Sequence, residues 1–551
     1  MNAKNETGKN WIRTILILLL LLLFISIIIL ASVPPVSRDA LTHHLAVPML
    51  YIEHGGIYEI PQIRFSYYPM NLDYLYLIPL YFGNDIFPKY IHFAFALATA
   101  LLLFRYLKPK FNTEYALFGA MLFLSTPVVV KLSITVYVDL GLIFFSTASI
   151  LYILRWLEKD FKLRYLIISA ASCGLALGTK YNGLIVFFLL TLFVPFIYLR
   201  SASSGTASQV KGVTYGIIFF FVALLFFSPW MIKNYIWTDN PFFPLYDGWF
   251  NPKIIKTAAS STSPGWNHFS IRHFVYKESW WEIALIPIRI FFLGEDGKPK
   301  FFDGKLNPFL FLLPFFSFLN IRGFYSTVKT QKKILLSFSI LFLLFAFVER
   351  DMRIRWISPI IPPLVILSVF GLSNLSQLIS EYGPVNLNKT CRFGIVAAAS
   401  FALFMNAMYI AEQFRHVDPF GYITGSVDRE AYIKKYRPEY SAIAYANENL
   451  PSDVRIMALF LGNRQYYSRQ DVFFGINQFE GIIKNTVSSN EMSMKLLKME
   501  VTHFLIGHSL MNKWANAKFS AAEKKKLKEF FKNNMNLLFA KGGYGLYELK
   551  R

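Results

Sequence analysis

The chain has 551 residues, of which 54% are hydrophobic and 18% aromatic, with a mean hydropathy of +0.40 and a formal net charge of +22. Globular chains run at about 45–50% apolar, so the excess excludes an ordinary soluble protein and asks for many membrane spans. The charge does not ask for nucleic acid, because Lys and Arg crowd the connections expected on the cytoplasmic side. The two cysteines, Cys173 in an apolar span and Cys391 in a connection, exclude a disulfide framework.

In chain order, residues 14–31 are nearly pure Leu, Ile and Phe, with Lys4, Lys9 and Arg13 before them. That bias keeps the N-terminus in the cytoplasm and delivers the next segment to the outer face. The apolar run exceeds the h-region of about 7–15 residues in a signal peptide. With Pro34 and Pro35 close behind, it reads as a retained anchor. An outer segment to Lys89 follows, then spans near 90–107, 114–131, 138–157, 163–179, 183–199, 212–232, 306–321, 334–348, 356–378 and 393–412. The stretch 280–293 reads as re-entrant or interfacial. Spans of roughly 17–25 residues bring the expected total to about eleven, an odd number that puts the C-terminus outside. The connections carrying Lys108/Lys110, Arg155/Lys159/Lys162/Arg164, Arg200/Lys211, Arg322/Lys329/Lys332/Lys333 and Lys389/Arg392 are then all cytoplasmic.

From residue 413 the composition changes to that of a soluble α/β domain, expected outside the membrane and running to residue 551. A helix is expected over 436–449, strands over 454–460 and 501–507, and a charged helix over 521–533. A hairpin is expected at 537–540 and 546–549 around Gly542-Gly543. The fold class is thus a mainly α membrane bundle, residues 1–412, with an extracytoplasmic α/β domain.

Ionisable residues at the outer ends of spans carry the chemical information. Asp39 stands eight residues beyond the first span, and Asp139 opens the fourth. Acids placed there are costly and usually functional; the plain readings are a solvated loop acid for Asp39 and a helix N-cap for Asp139. Lys180, Arg353 and Arg355 are cations on the outer side, against the orientation bias. Snorkelling would account for Lys180, and pairing with Glu349 and Asp351 for the arginines. The alternative is that the three hold an anionic phosphate, for which Arg supplies a planar fork and Lys a point charge. Glu53, His54, His268 and His273 are weak metal candidates, since their spacing identifies no site. A P-loop, a dinucleotide fingerprint and a Gly-x-Ser-x-Gly elbow are absent from the sequence.

These landmarks resemble the GT-C superfamily of polytopic glycosyltransferases, in particular the bacterial family 39-like group of aminoarabinose transferases and protein mannosyltransferases. Arg38-Asp39-Ala40-Leu41-Thr42-His43-His44-Leu45 looks like the family's first outer-loop acid and the His-His-Leu element after it. Ser66-Tyr67-Tyr68-Pro69-Met70 is similar to its Pro-containing loop, and Tyr137-Val138-Asp139-Leu140 to its second acidic site. The run from Gly174 through Gly178, Lys180 and Tyr181 to Gly183 resembles a Gly-x-x-x-Gly-x-x-Lys-Tyr signature. Pro229-Trp230 with Lys233-Asn234 and Asn240-Pro241 resembles a later outer loop, and Arg355-Trp356 with Pro359 and Pro362 an Arg-Tyr-x-x-Pro-x-x-Pro element. Two departures stand out: Ala40 where the mannosyltransferases have a second acid, and Asp239 where a Gly is usual.

The resemblance implies inverting transfer of a sugar from a polyprenyl-phosphate donor to a lipid, glycan or protein hydroxyl at the outer face of a bacterial cytoplasmic membrane. No cofactor is required. Asp39 would be the general base, Asp139 a second anion beside the oxocarbenium-like centre, and Lys180, Arg353 and Arg355 the phosphate ligands. His43, His44, Tyr68, Tyr181 and Asn240 would contact donor or acceptor. A transporter or flippase of a lipid-linked or anionic substrate is the alternative, although the sequence has no internal symmetry of the kind transporters show. A third reading, a partner-binding outer domain on an inactive membrane body, is disfavoured because both acids and the cations are present.

Overall fold

The computed structural model describes residues 2–201, 205–252, 267–319, 326–349, 352–382 and 388–550. Arg322, Arg350 and Asp351 lie outside these residues, as do the side chains of Lys4, Lys9, Glu349, Lys389, Cys391 and Arg392. The chain divides into two compact units. The first is Met1–Ala31, Tyr67–Leu75 and Phe87–Asp418; the second is Ser32–Ser66, Tyr76–Ile86 and Pro419–Arg551.

The first unit is a helical bundle. Among the described residues, eight helices are long and apolar enough to cross a membrane: Trp11–Ala31, Phe87–Leu107, Asp139–Glu158, Gly183–Ser201, Thr206–Thr238, Ser326–Val348, Ile354–Ser380 and Phe393–Val417. The other three expected spans take different forms. Residues 114–131 fold as two helices, Thr113–Ser125 and Pro127–Ser133, bent by 65°. Pro127 removes a backbone donor and pushes Thr126 out of helical geometry, to φ −54° and ψ 128°. Residues 163–179 form the short helix Leu163–Leu177, which ends at Gly178. Among the described residues, the apolar stretch from 306 to 319 is helical only over Phe309–Phe316.

Helices in this bundle approach closely where side chains vanish. A Cβ on Gly174 would lie 2.2 Å from the Ala223 carbonyl, and one on Gly178 would lie 2.4 Å from the Asn71 amide. The Gly-x-x-x-Gly spacing is therefore a packing device that lets Leu163–Leu177 lie against Thr206–Thr238 and delivers Lys180 at its end.

The second unit is built on a five-stranded sheet: β1 Arg455–Leu459, β2 Asp471–Phe473, β3 His503–Gly507, β4 Met535–Lys541 and β5 Tyr544–Leu549. The order is β2-β1-β3-β5-β4; β1 runs parallel to β2 and β3, while β5 is antiparallel to β3 and β4. The fully buried β3 is central. Tyr440–Asn449 covers one face through Ala442, Ile443 and Ala446. Ile476–Lys484, Ser489–Lys498, His508–Lys518 and Ala521–Asn533 cover the other through Phe479, Met492, Met511 and Phe530, against Phe504 of β3. Gly542 and Gly543, at φ 62° and 83°, make the β4–β5 turn that two left-handed residues permit. The helix expected over 436–449 is interrupted at Pro438, leaving Arg429–Tyr436 and Tyr440–Asn449. The first outer loop, residues 32–66, folds as part of this unit and not with the bundle.

Candidate functional site

In the bundle, Asp139 is the first residue of its helix, not the N-cap, which is Val138. Its carboxylate is 1% exposed and accepts a hydrogen bond from Lys180 Nζ at 2.6 Å, while Lys180 remains 19% exposed. Asp139 Oδ2 is buried without a hydrogen-bond partner among the described residues. The helix N-terminus adds positive potential to the same place. His92 completes the corner. Its Nε2 accepts the Leu140 N–H at 2.9 Å, which assigns the proton to Nδ1, facing the Leu132 and Thr135 carbonyls at 2.9 and 3.0 Å. Arg355 lies over the Tyr137 ring at 5.1 Å and, with Lys180, acts electrostatically on the Asp139 carboxylate.

Asp139 is thus fully buried, with Lys180 as its ion-pair partner. Lys180, expected to serve a phosphate alone, has an acid as its nearest partner. Arg353 differs from Arg355. It pairs with Asp303 at 3.6 Å, and Asp303 also meets Lys131 at 3.7 Å. Lys131 in turn forms an ion pair with Asp296 at 3.0 Å, and Asp296 accepts the Tyr409 hydroxyl at 2.5 Å. Arg353 thus belongs to a chain of alternating charges.

The aromatic candidates are tied into the frame. Tyr181 donates to the Phe243 carbonyl at 2.8 Å and accepts from Asn234 at 3.1 Å, and Tyr68 meets its ring edge-on at 5.2 Å. Asn240 is 0% exposed, and its amide serves its own loop through the Leu245 carbonyl and the Phe242 N–H, each at 2.9 Å. Asn71 ties the Pro-containing loop to the signature helix, with its N–H on the Gly178 carbonyl at 2.9 Å and its side chain on the Leu175 carbonyl at 3.1 Å.

In the second unit, Asp39 is half-buried and opens a five-residue π-turn, Ala40–His44, without capping it by its side chain. His43 stacks on Phe65 at 4.2 Å and touches His44, which is buried, at 4.0 Å. Single π-turns gather at functional sites. His54 stacks on Tyr58 at 4.0 Å, and burial raises the Glu53 carboxyl above its ordinary range. His268 meets the Phe347 carbonyl at 3.1 Å, and His273 meets the Glu278 carbonyl at 2.9 Å. Among the described residues, no three His, Cys, Asp or Glu side chains cluster as metal ligands.

Two residues of the bundle site escaped the sequence reading of site residues. His92 is a lone histidine in an apolar span, a signal that a polar partner has to exist. Lys233, known only from its motif, lies between the Trp230 and Trp237 rings at 5.0 and 4.9 Å.

The fold has close counterparts among solved structures. ArnT from Cupriavidus metallidurans, bound to undecaprenyl phosphate, superposes with a TM-score of 0.56 at 11% identity, covering 96% of this chain and 97% of that one. The chain has the GT-C fold. The oligosaccharyltransferase of Archaeoglobus fulgidus in its apo form matches with a TM-score of 0.52 at 14% identity, over 91% of this chain and 71% of the other. The same organism's AglB, in complex with an inhibitory peptide and a dolichol-phosphate, matches with a TM-score of 0.50 at 13% identity, over 97% and 74%. By sequence, residues 74–232 match the family described as dolichyl-phosphate-mannose-protein mannosyltransferase. No curated protein sequence matches the chain. The segment 74–232 holds Asp139, Lys180, Tyr181 and His92, so the family match falls on the buried pair and not on the Asp39 loop.

Proposed function

We propose that this GT-C chain is a membrane glycosyltransferase that moves a sugar from a polyprenyl-phosphate-linked donor to an acceptor hydroxyl at the outer face, with inversion. The observation that carries the reading is the Asp139–Lys180 pair beside Arg355, on a fold whose solved counterparts bind undecaprenyl phosphate and dolichol-phosphate. Asp39 removes the acceptor proton. Lys180 and Arg355 receive the negative charge that grows on the phosphate as the glycosidic bond breaks, an effect commonly worth about 2.7–4 kcal/mol per donor. Asp139 acts one step back, holding the Lys180 ammonium in a fixed direction. Arg353, paired with Asp303, takes no direct part in this scheme. The reaction needs no cofactor in this scheme, because the donor arrives already activated and the charges are met by side chains.

The test is transfer by purified full-length chain in proteoliposomes supplied with polyprenyl-phosphate sugars. The readout is mass spectrometry for free polyprenyl phosphate, together with comparison of envelope glycans from cells with and without the gene. Release of the carrier phosphate and loss of a glycan on deletion are expected. Movement of an intact lipid-linked sugar across the bilayer without cleavage would overturn the enzyme reading in favour of a flippase.

A further inference from the structure

The turn that carries Asp39 takes its shape from the C-terminal domain. In an α-helix the Leu45 N–H would donate to the Leu41 carbonyl. Here it donates one residue further back, to the Ala40 carbonyl at 2.9 Å. The Leu41 carbonyl accepts instead from the Gln465 and Tyr466 N–H groups, both at 3.2 Å. A backbone acceptor that an α-turn would use is therefore occupied by residues more than four hundred positions away, and the turn opens to the π form.

The approach to Asp39 is held in the same way. The Tyr467 hydroxyl donates to the Pro35 carbonyl at 2.7 Å, and Arg437 Nε donates to the Val36 carbonyl. Residues 34–37 lie outside any helix, so the Pro35 and Val36 carbonyls take their partners from elsewhere in the chain. The clamp is itself braced. Asn447 donates to the Tyr467 carbonyl at 2.8 Å, and Arg464 pairs with the buried Glu439. The space between Leu41, Arg437, Tyr440, Tyr466 and Tyr467 is a cavity of about 10 Å³, room for at most one water. Three carbonyls, two before Asp39 and one after, are therefore fixed by Arg437 and the consecutive residues 465–467.

We propose that the C-terminal domain is a positioning device for the Asp39 carboxylate, with Tyr467 and Arg437 as positioning residues that set the rate of proton removal and not the binding of either substrate. The proposal rests on Asp39 being the base. Misplacement of a reacting group by about 1 Å can cost a hundredfold, so a loosened turn is felt in turnover before it is felt in affinity.

Tyr467→Phe keeps the ring, including its edge-on contact with Tyr440 at 5.2 Å, and removes one hydrogen bond. Arg437→Lys keeps the charge and removes Nε. In the full-length reconstituted chain, each is expected to lower kcat roughly tenfold with both KM values within about twofold. Amide exchange over residues 40–45 should quicken while exchange in the sheet stays unchanged. Unchanged exchange at 40–45 in both variants would overturn the clamp whatever Asp39 does. Quickened exchange with full kcat, in a chain whose Asp39→Asn variant is inactive, would overturn the positioning role. An active Asp39→Asn variant would overturn the base assignment and the catalytic half of the proposal together, and it is read in a separate protein.

Discussion

The two acids of this chain are held by opposite means. Asp139 sits in the helical bundle, 1% exposed, with its charge met directly by a lysine at 2.6 Å. Asp39 sits in the second unit, half-buried, on a backbone turn whose carbonyls are gripped by a distant loop. In the first case the protein fixes a charge by pairing it; in the second it fixes the backbone that carries the acid. A buried ion pair gains little net stability, because desolvation offsets the attraction, but breaking it from one side is costly. A gripped turn acts through its backbone instead, and a small shift of that backbone reaches the reaction.

The largest expected effect separates the two at once. Asp39→Asn should lower turnover by about 10²–10⁴-fold, the usual worth of a general base. Retention of activity within about threefold would end the base assignment. Lys180→Met should instead destabilise the bundle by roughly 3–5 kcal/mol, since it strands the Asp139 carboxylate in an apolar setting. The double variant Lys180→Met/Asp139→Asn should recover most of that loss in a denaturation assay. If the single effects simply add, the two side chains are not a coupled pair.

Arg355→Ala should slow transfer by about 10²–10³-fold, with a smaller loss in binding of the polyprenyl phosphate, because the phosphate charge is greatest at the transition state. Lys at 355 should rescue in part, lacking the planar fork. Arg353→Ala should do much less to rate, a contrast in kcat that tests whether the Asp303 pairing keeps it out of the chemistry.

The smallest effect concerns the domain that grips Asp39. Burial lowers the His503 imidazole below its ordinary pKa of 6.5, with Glu548 on the paired strand opposing the shift. The folded state then binds fewer protons than the unfolded chain just below that value. The second unit should keep full stability above about pH 6.5 and lose a little as pH falls toward the folded pKa. His503→Gln should flatten that slope in a melting curve followed by circular dichroism; an unchanged slope would assign the acid sensitivity elsewhere.

Much of the frame was legible from residue order. Apolar runs marked the long spans, and a strand was read at each of β1, β3, β4 and β5. The charged helix Ala521–Asn533 has the bounds its Ser520/Glu523 capping box implies. These features are local: hydropathy, caps and turn glycines act over a few residues. Pro127 shows the limit, since an apolar stretch long enough for one span folds as two helices at 65°. The three-residue β2 and the helices Ile476–Lys484 and Ser489–Lys498 were missed for a related reason. A strand that short has no periodicity of its own and exists because β1 pairs with it.

The sequence by itself determined that this is a multi-span membrane chain with a soluble α/β part, and it named Asp39, Asp139, Lys180 and Arg355. Only the tertiary structure decided that Asp139 and Lys180, 41 positions apart, form one buried pair. Packing alone also decided that Asn240 serves its own loop, that Arg353 answers to Asp303, and that the Asp39 loop folds with the C-terminal domain. The physical reason is common to all four. Whether a polar group meets solvent, substrate or another side chain is set by burial, and burial depends on neighbours that the chain brings together only when it folds.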